Sequence, residues 1–245
     1  MTFPKTTETN NVRRIFAIGD LHLSHEVPDK AMDVFGAHWQ DHAARIRDAW
    51  QATVGQDDLV LLPGDFSWAM HLNDTKADFQ YLSELNGKKV LLRGNHDYWW
   101  SSITKVRSVL PEGVYAVQND VLSFGSVHVG GTRGWLLPHT NAFSEQKDRK
   151  IYEREVGRLR LSLDAMPEGG LRIVMLHYPP FAEDGTPSDF VPLLEQANVH
   201  HVVYGHLHGK TGNAAFEGER NGIFYHLVSS DRLQFCPKYI TTPTE

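Results

Sequence analysis

Short apolar runs, each too short for a helix, recur along the chain and are rich in β-branched residues. Six of them are predicted to be buried strands, at 14–18, 59–62, 90–92, 127–129, 173–176 and 202–204. Apolar runs of this length without polar alternation are typical of strands that are covered on both faces. The pattern therefore predicts a core built on sheets and covered by helices.

In the segments between these runs, apolar residues recur at the spacing of one helix face. One helix, over 38–51, is predicted from apolar residues that share a face, namely Trp39, Ala43, Ile46 and Trp50. Further helices are predicted over 74–85, about 143–164 and 188–197. The first half therefore alternates strand and helix, which predicts parallel strands. The stretches 114–130 and 223–235 are expected to form hairpin-like strands instead.

The composition says little about the fold, but it restricts which kinds of functional site the chain can form. The 245 residues are 41% hydrophobic and 22% charged, which is enough apolar material for a sizeable core. The net charge of −6 disfavours general binding to nucleic-acid backbones, so a nucleic-acid partner is not expected. The chain has 14 histidines and 1 cysteine, which excludes an internal disulfide and CxxC zinc sites. Histidine is therefore the first residue type to examine for a functional site.

Polar residues with ligand chemistry stand where the apolar runs stop. They are Asp20, His22, Asp65, Asn95, His96, Asp97, His177, His206 and His208. Side chains beyond the carboxyl ends of strands in an open α/β sheet gather in one crevice. Imidazole, carboxylate and amide groups suit Mn, Fe, Zn or Ni better than Ca. The number of ligand candidates suits two ions that share a carboxylate.

The order and spacing of these motifs resemble those of the calcineurin-like metallophosphoesterases, and more narrowly a group of bacterial predicted phosphohydrolases. The motifs that carry the resemblance are Asp20-x-His22, Gly64-Asp65, Gly94-Asn95-His96-Asp97, His177 and Gly205-His206-x-His208. The resemblance implies a four-layer α/β/β/α sandwich of two mixed sheets flanked by helices. We expect residues 1–245 to form one such domain, with residues 1–13 as a flexible N-terminus.

The resemblance also implies a role for each motif residue. The first metal ion would be held by Asp20, His22, Asp65 and His208. The second metal ion would be held by Asp65, Asn95, His177 and His206. Asp65 would therefore bridge two divalent transition-metal ions, with Mn favoured among Mn, Fe, Zn and Ni. His96 would assist the leaving group, and Asp97 would accept a hydrogen bond from the His96 ring and raise its pKa.

The expected activity is hydrolysis of a small phosphomonoester or phosphodiester by a hydroxide that bridges the two metals. A non-catalytic metal-binding scaffold for a partner protein is one alternative. A nuclease is another, because residues 147–160 carry six basic and three acidic residues, a local charge of +3. The start of the chain lacks the apolar segment of a secretory signal, and no apolar run approaches membrane length, so we expect a cytoplasmic protein without a membrane span.

Residues outside these motifs are candidates for contacts with the substrate. Arg133 lies among glycines and could bind phosphate oxygens or form a structural ion pair. His25 follows His22 closely and could contact substrate or lie in a solvated loop. Aromatic residues near the motifs could form a stacking wall or pack in the core. They are Trp68, Tyr98, Trp99, Trp100 and Trp135.

Overall fold

A computed structural model describes residues 12–243 of the chain, so the predicted flexible N-terminus lies almost wholly outside the described residues. The strands are β1 (Ile15–Ala17), β2 (Leu59–Leu62), β3 (Lys88–Leu92), β4 (Val114–Val117), β5 (Val121–Phe124), β6 (Val127–Thr132), β7 (Leu171–Leu176), β8 (His201–Tyr204), β9 (Gly218–Arg220), β10 (Ile223–Leu227) and β11 (Lys238–Thr241). The α-helices are α1 (His42–Thr53), α2 (Lys76–Ser83), α3 (Ile103–Arg107), α4 (Glu145–Asp164) and α5 (Phe190–Gln196).

The strands form two mixed sheets. The first has the order β11-β1-β2-β3-β4, in which β1 to β4 are parallel and β11 is antiparallel to β1. The second has the order β5-β6-β7-β8-β10-β9, with a parallel centre and an antiparallel strand at each edge. The parallel strands of both sheets therefore end in loops on which several motifs can be brought together.

Each central strand buries both faces. On β1, Ile15 and Ala17 pack in the cluster between the sheets, whereas Phe16 packs in the cluster under α1 and α2. On β7, Met175 packs between the sheets and Val174 packs in the cluster under α4 and α5. This double burial explains the continuous apolar runs of the sequence. The predicted α/β/β/α sandwich is confirmed.

The element predictions hold for the parallel strands and only in part for the predicted hairpin-like strands. The helix predicted from residue 38 begins at His42, after a short 3₁₀ turn over Ala37–Trp39. Within 114–130, β5 and β6 form an antiparallel hairpin as predicted, whereas β4 joins the first sheet beside β3. Within 223–235, only β10 is a strand: it pairs antiparallel with β9, which directly precedes it, and parallel with β8. The parts of the prediction that fail are β4, which belongs to the other sheet, and the segment after Leu227, which is not a strand.

Within residues 12–243, no helix is both long and apolar enough to cross a bilayer.

Candidate metal centre

Loops from both sheets bring five of the seven predicted ligand residues into groups able to hold a metal ion, and they place Asn95 and His206 against His177. The first sheet supplies Asp20 and His22 after β1, Asp65 after β2 and Asn95 after β3. The second sheet supplies His177 after β7, and His206 and His208 after β8. Two bonds span the gap between the sheets: His206 N–H donates to the Asp20 carboxylate at 3.0 Å, and His177 Nδ1 lies 3.0 Å from the Pro63 carbonyl oxygen. The site therefore lies where the two sheets meet.

The first group of side chains able to hold a metal ion consists of Asp20, His22 and His208, with candidate ligand atoms within 4.8 Å of one another. His208 is oriented by Asp231, whose Oδ1 lies 2.9 Å from His208 Nδ1. The other ring nitrogen, Nε2, then faces Asp20 Oδ1 at 3.8 Å. A carboxylate behind a histidine in this way fixes the ring and raises its basicity as a metal ligand.

The second group consists of Asp20, Asp65 and His177. Because the Pro63 carbonyl only accepts, His177 Nδ1 carries the proton and Nε2 presents its lone pair. That Nε2 lies 2.6 Å from Asn95 Oδ1 and 3.5 Å from Asp65 Oδ2. Three acceptor atoms thus converge with no donor between them, which is the arrangement that a bound cation satisfies.

Asp20 belongs to both groups, and Asp65, a member of the second, also faces a histidine of the first. Its Oδ2 is 3.8 Å from His22 Nε2 and 3.5 Å from His177 Nε2. Its Oδ1 accepts the His96 backbone N–H at 2.8 Å, which fixes the carboxylate plane. The distances therefore allow this carboxylate to serve two ions, as the motif comparison implied.

Burial makes the centre unfavourable for its own charges. It raises the pKa of Asp20 to about 6 and that of Asp65 well above its usual range. It also lowers the pKa values of His22 and His177 well below the ordinary value of an imidazole. Neutral imidazoles cannot compensate the two buried carboxylates, whereas divalent cations would. The donor set thus fits divalent metal ions.

The backbone is strained at four of these residues. Asp20, His22, Asp65 and His206 have φ values of 56°, 47°, 52° and 73°. Such left-handed conformations are costly for residues other than glycine and persist where the surrounding structure imposes them. Here they turn the chain sharply after a strand and direct consecutive side chains to one place.

Two motif glycines leave room for the candidate ligands. A Cβ on Gly94 would overlap Asp65 Oδ1, and a Cβ on Gly205 would overlap Asp20 Oδ2. Each glycine is therefore required by the close approach of a carboxylate to the backbone of another strand.

We expect Gly205→Ala to displace the Asp20 carboxylate, to weaken metal binding and to destabilise the fold by about 1–3 kcal/mol. The matched control is Gly157→Ala in α4, where a Cβ meets nothing within 4 Å. That variant should retain its metal and gain about 0.5–1 kcal/mol, because alanine favours a helix. Chemical denaturation and metal analysis measure both effects. Equal metal contents in the two variants would contradict the steric requirement at Gly205.

Asp97 does not bind the His96 ring, which corrects the prediction from the motif. Its carboxylate accepts hydrogen bonds from Trp99 Nε1 and from four backbone N–H groups, those of Asp65, Phe66, Ser67 and Gly94. The expected rise in the His96 pKa is also wrong, because burial lowers it. Asp97 instead ties the loop after β2 to the loop after β3.

The His96 ring lies beside the first group. Its centroid is 5.8 Å from that of His22 and 4.6 Å from that of Trp68. Its Nδ1 is buried without a hydrogen-bond partner among the described residues. The ring therefore remains free to bond a ligand at the centre.

Arg133 and His25 both have protein partners. Arg133 Nη2 lies 3.8 Å from Glu155 Oε1, and its guanidinium lies over the Trp135 ring at 4.4 Å. The ion-pair alternative for Arg133 is thus present, and its phosphate contact stays a prediction. His25 Nδ1 lies 2.7 Å from Asp78 Oδ1, so a substrate contact by His25 also stays a prediction.

Some of the aromatic residues near the motifs pack in the core, and others lie at or near the candidate metal centre. Trp99 and Trp100 are buried in the cluster under α1 and α2, as the packing alternative requires. Tyr98 is exposed, and Trp68 is half-buried beside His22.

The sequence motifs missed Asp231, which orients His208. Its position in the sequence could have indicated this role, because Asp231 follows the end of β10 just as the other polar residues follow their strands. The assignment of 223–235 to strands obscured this position.

Comparison with known proteins decides the family. The sequence model described as calcineurin-like phosphoesterase matches residues 13–210, which is most of the chain. The chain belongs to the calcineurin-like phosphoesterase family. Membership implies divalent metal ions and supports phosphoesterase activity, and the resemblance seen in the motifs is confirmed.

One curated protein matches part of this calcineurin-like phosphoesterase. The gene 66 protein of Mycobacterium phage L5 is 35% identical over 82 residues, which are 32% of this chain and 37% of that protein. The matched region thus spans little more than a third of the curated relative.

Two solved structures share the fold. Phosphopantetheinyl hydrolase (PptH) from Mycobacterium tuberculosis is 15% identical with a TM-score of 0.54, covering 94% of this chain and 96% of that one. GAP50, described as the anchor in the inner membrane complex of Plasmodium, is 14% identical with a TM-score of 0.51, covering 89% and 72%. At these identities the likeness concerns the fold alone.

Proposed function

We propose that this chain is a two-metal phosphoesterase that hydrolyses a small phosphomonoester or phosphodiester. The observation that carries the proposal is the position of Asp65 Oδ2, 3.8 Å from His22 Nε2 and 3.5 Å from His177 Nε2. One carboxylate between two ligand sets is the arrangement that a pair of divalent ions requires.

The ligand assignment is the one that the family motifs imply. Asp20, His22, Asp65 and His208 would hold one ion. Asp65, Asn95, His177 and His206 would hold the other. When bound, the ions supply positive charge for the phosphoryl oxygens and activate water at neutral pH. Imidazole, carboxylate and amide ligands suit Mn, Fe, Zn or Ni, and we favour Mn for activity.

The remaining residues would position the ester and its leaving group. His96 has an unpartnered Nδ1 and a lowered pKa, so its neutral ring can donate one hydrogen bond at the centre. We assign it to the leaving oxygen, where a hydrogen bond stabilises developing charge. Asp97 acts indirectly, because its five hydrogen bonds hold the loops that carry Asp65 and Asn95.

The fold does not decide between an enzyme and a scaffold. Of the two solved structures described above, one is described as a hydrolase and the other as an anchor. The complete ligand set and the free ring of His96 favour the enzyme, because a scaffold has no use for an unpartnered imidazole beside its metal site.

The test is hydrolysis by chelator-treated protein before and after the addition of Mn²⁺, using panels of phosphomonoesters and phosphodiesters. We expect no turnover after chelation and recovery of turnover with Mn²⁺. Absence of turnover in protein that holds two ions would favour the scaffold. Cleavage of DNA with a steep dependence on salt would favour the nuclease.

A further inference from the structure

A cavity of about 400 Å³ opens directly onto the candidate metal centre. Its polar floor includes His22, Asp65 and His208 from the centre, together with His96. Its apolar walls are formed by Met32, Phe35, Trp39 and Trp68. The volume lies in the range of small-molecule sites, which are mostly apolar with a few polar groups that fix orientation.

One wall is held rigidly against the floor. Trp68 stacks on the His22 ring, with centroids 4.9 Å apart and planes inclined by 21°. Its Nε1 donates a hydrogen bond to Met32 Sδ at 3.1 Å, which fixes the indole from the opposite edge. An aromatic surface is thus positioned beside the reacting centre before any ligand binds.

The cavity lining also contains an apolar side chain that the protein leaves in water. Phe35 ends the short turn Met32–Phe35 and is 63% exposed although it lines the cavity. A large aromatic side chain exposed at the mouth of a polar site is typical of a surface that a ligand covers. Its neighbour Val34 is 76% exposed, but is not among the residues that line the cavity.

The walls offer no counter-charge for a second anionic group. None of the described residues that line the cavity is Lys or Arg. The adjacent Lys30 ammonium lies 5.9 Å from the Trp68 ring centroid and already contacts Met70 Sδ at 3.0 Å and the Trp68 carbonyl oxygen at 3.4 Å. Asp231 adds a carboxylate at the floor, paired with His208. A second phosphate or a carboxylate on the ligand would lose hydration without gaining a cation.

We propose that this cavity binds the alcohol portion of the phosphate ester, and that this portion is uncharged, apolar and contains a ring. The inference rests on the proposed function, because it places the phosphoryl group at the shared floor of cavity and metal centre. Phe35 and Trp68 would enclose the ring, so they would determine specificity and take no part in the chemical step.

Binding of phosphonates tests the cavity without requiring turnover. We expect Mn²⁺-loaded protein to bind benzylphosphonate about tenfold more tightly than methylphosphonate, because only the former buries a ring. A carboxylate on the same ring, in 4-carboxybenzylphosphonate, should remove most of this gain. Isothermal titration calorimetry measures all three. Equal affinity for benzylphosphonate and methylphosphonate would overturn the proposal.

A pair of exposed residues supplies the matched variants. Phe35→Ala should weaken benzylphosphonate binding about three- to fivefold and leave methylphosphonate unchanged. Val34→Ala, in the same turn, should alter neither. Because both side chains are exposed, neither variant is expected to unfold. Equal effects of the two substitutions on benzylphosphonate would contradict the role of Phe35.

Turnover separates this proposal from the function on which it rests. Benzyl and ethyl phosphate have leaving alcohols of similar acidity, so a higher kcat/KM for the benzyl ester reports binding of the ring. Their methyl diesters extend the comparison to phosphodiesters. Equal kcat/KM for benzyl and ethyl esters would overturn the cavity assignment and leave the phosphoesterase standing. Retained preference for benzylphosphonate without turnover of any ester would support the cavity and overturn the proposed function.

Discussion

Replacing Asp65 with Asn is expected to reduce the metal content from two ions per chain to one or fewer. The substitution keeps the shape and the acceptor for the His96 N–H, but removes the negative charge between His22 and His177. Loss of a residue that merely orients a ligand already weakens metal binding about 10–100-fold, so loss of a shared ligand should exceed that. Turnover should fall with the metal. Elemental analysis after gel filtration measures the effect.

The matched control is Asp58→Asn, another buried aspartate at the first sheet. Asp58 is 1% exposed and pairs with Arg14 at 2.6 Å rather than with the centre. Its substitution should lower stability and keep both ions. Two ions retained in Asp65→Asn, at the same affinity as in the control, would exclude a bridging role for Asp65.

Replacing His96 with Ala is expected to keep both metal ions and to lower kcat by about 10²–10³-fold, the usual cost of removing a hydrogen-bond donor to developing charge. The ring packs against Trp68 and His22 without joining either group able to hold a metal ion. The fall in kcat should be smaller for esters with acidic leaving alcohols, because the charge that develops on their leaving oxygen needs less stabilisation. A rate profile across esters of graded leaving-group acidity measures this dependence.

The control for that variant is His226→Ala. His226 is half-buried like His96, but its ring pairs with His201 at 3.2 Å on the second sheet. Its removal should leave kcat unchanged. An unchanged kcat in His96→Ala would refute the assigned role, and loss of metal in that variant would make His96 part of the metal-binding machinery.

Much of the site was predictable because its residues directly follow predicted strands, a position that can be identified in the sequence. Asp20, Asp65 and His177 each follow a buried apolar run, and parallel strands carry such positions to a common edge. Their motif order then implied which residues would share an ion. The family match confirms the resemblance, while the individual ligand roles remain predictions.

The supporting contacts were not predictable, because they join residues distant in the chain. Asp97 accepts N–H groups from the loop after β2, about thirty residues earlier, and a sequence motif gives no sign of this convergence. Adjacency in the sequence suggested His96 as its partner instead. Likewise β4 and β5 are close in the chain but belong to different sheets, which depends on long-range pairing.

The most direct test of the two-metal centre is anomalous scattering from crystals of the Mn²⁺-loaded protein, recorded on both sides of the manganese absorption edge. The account predicts two manganese peaks. One should lie against Asp20, His22 and His208, the other against Asn95, His177 and His206, with the Asp65 carboxylate between them. A single peak, or peaks away from Asp65, would contradict it.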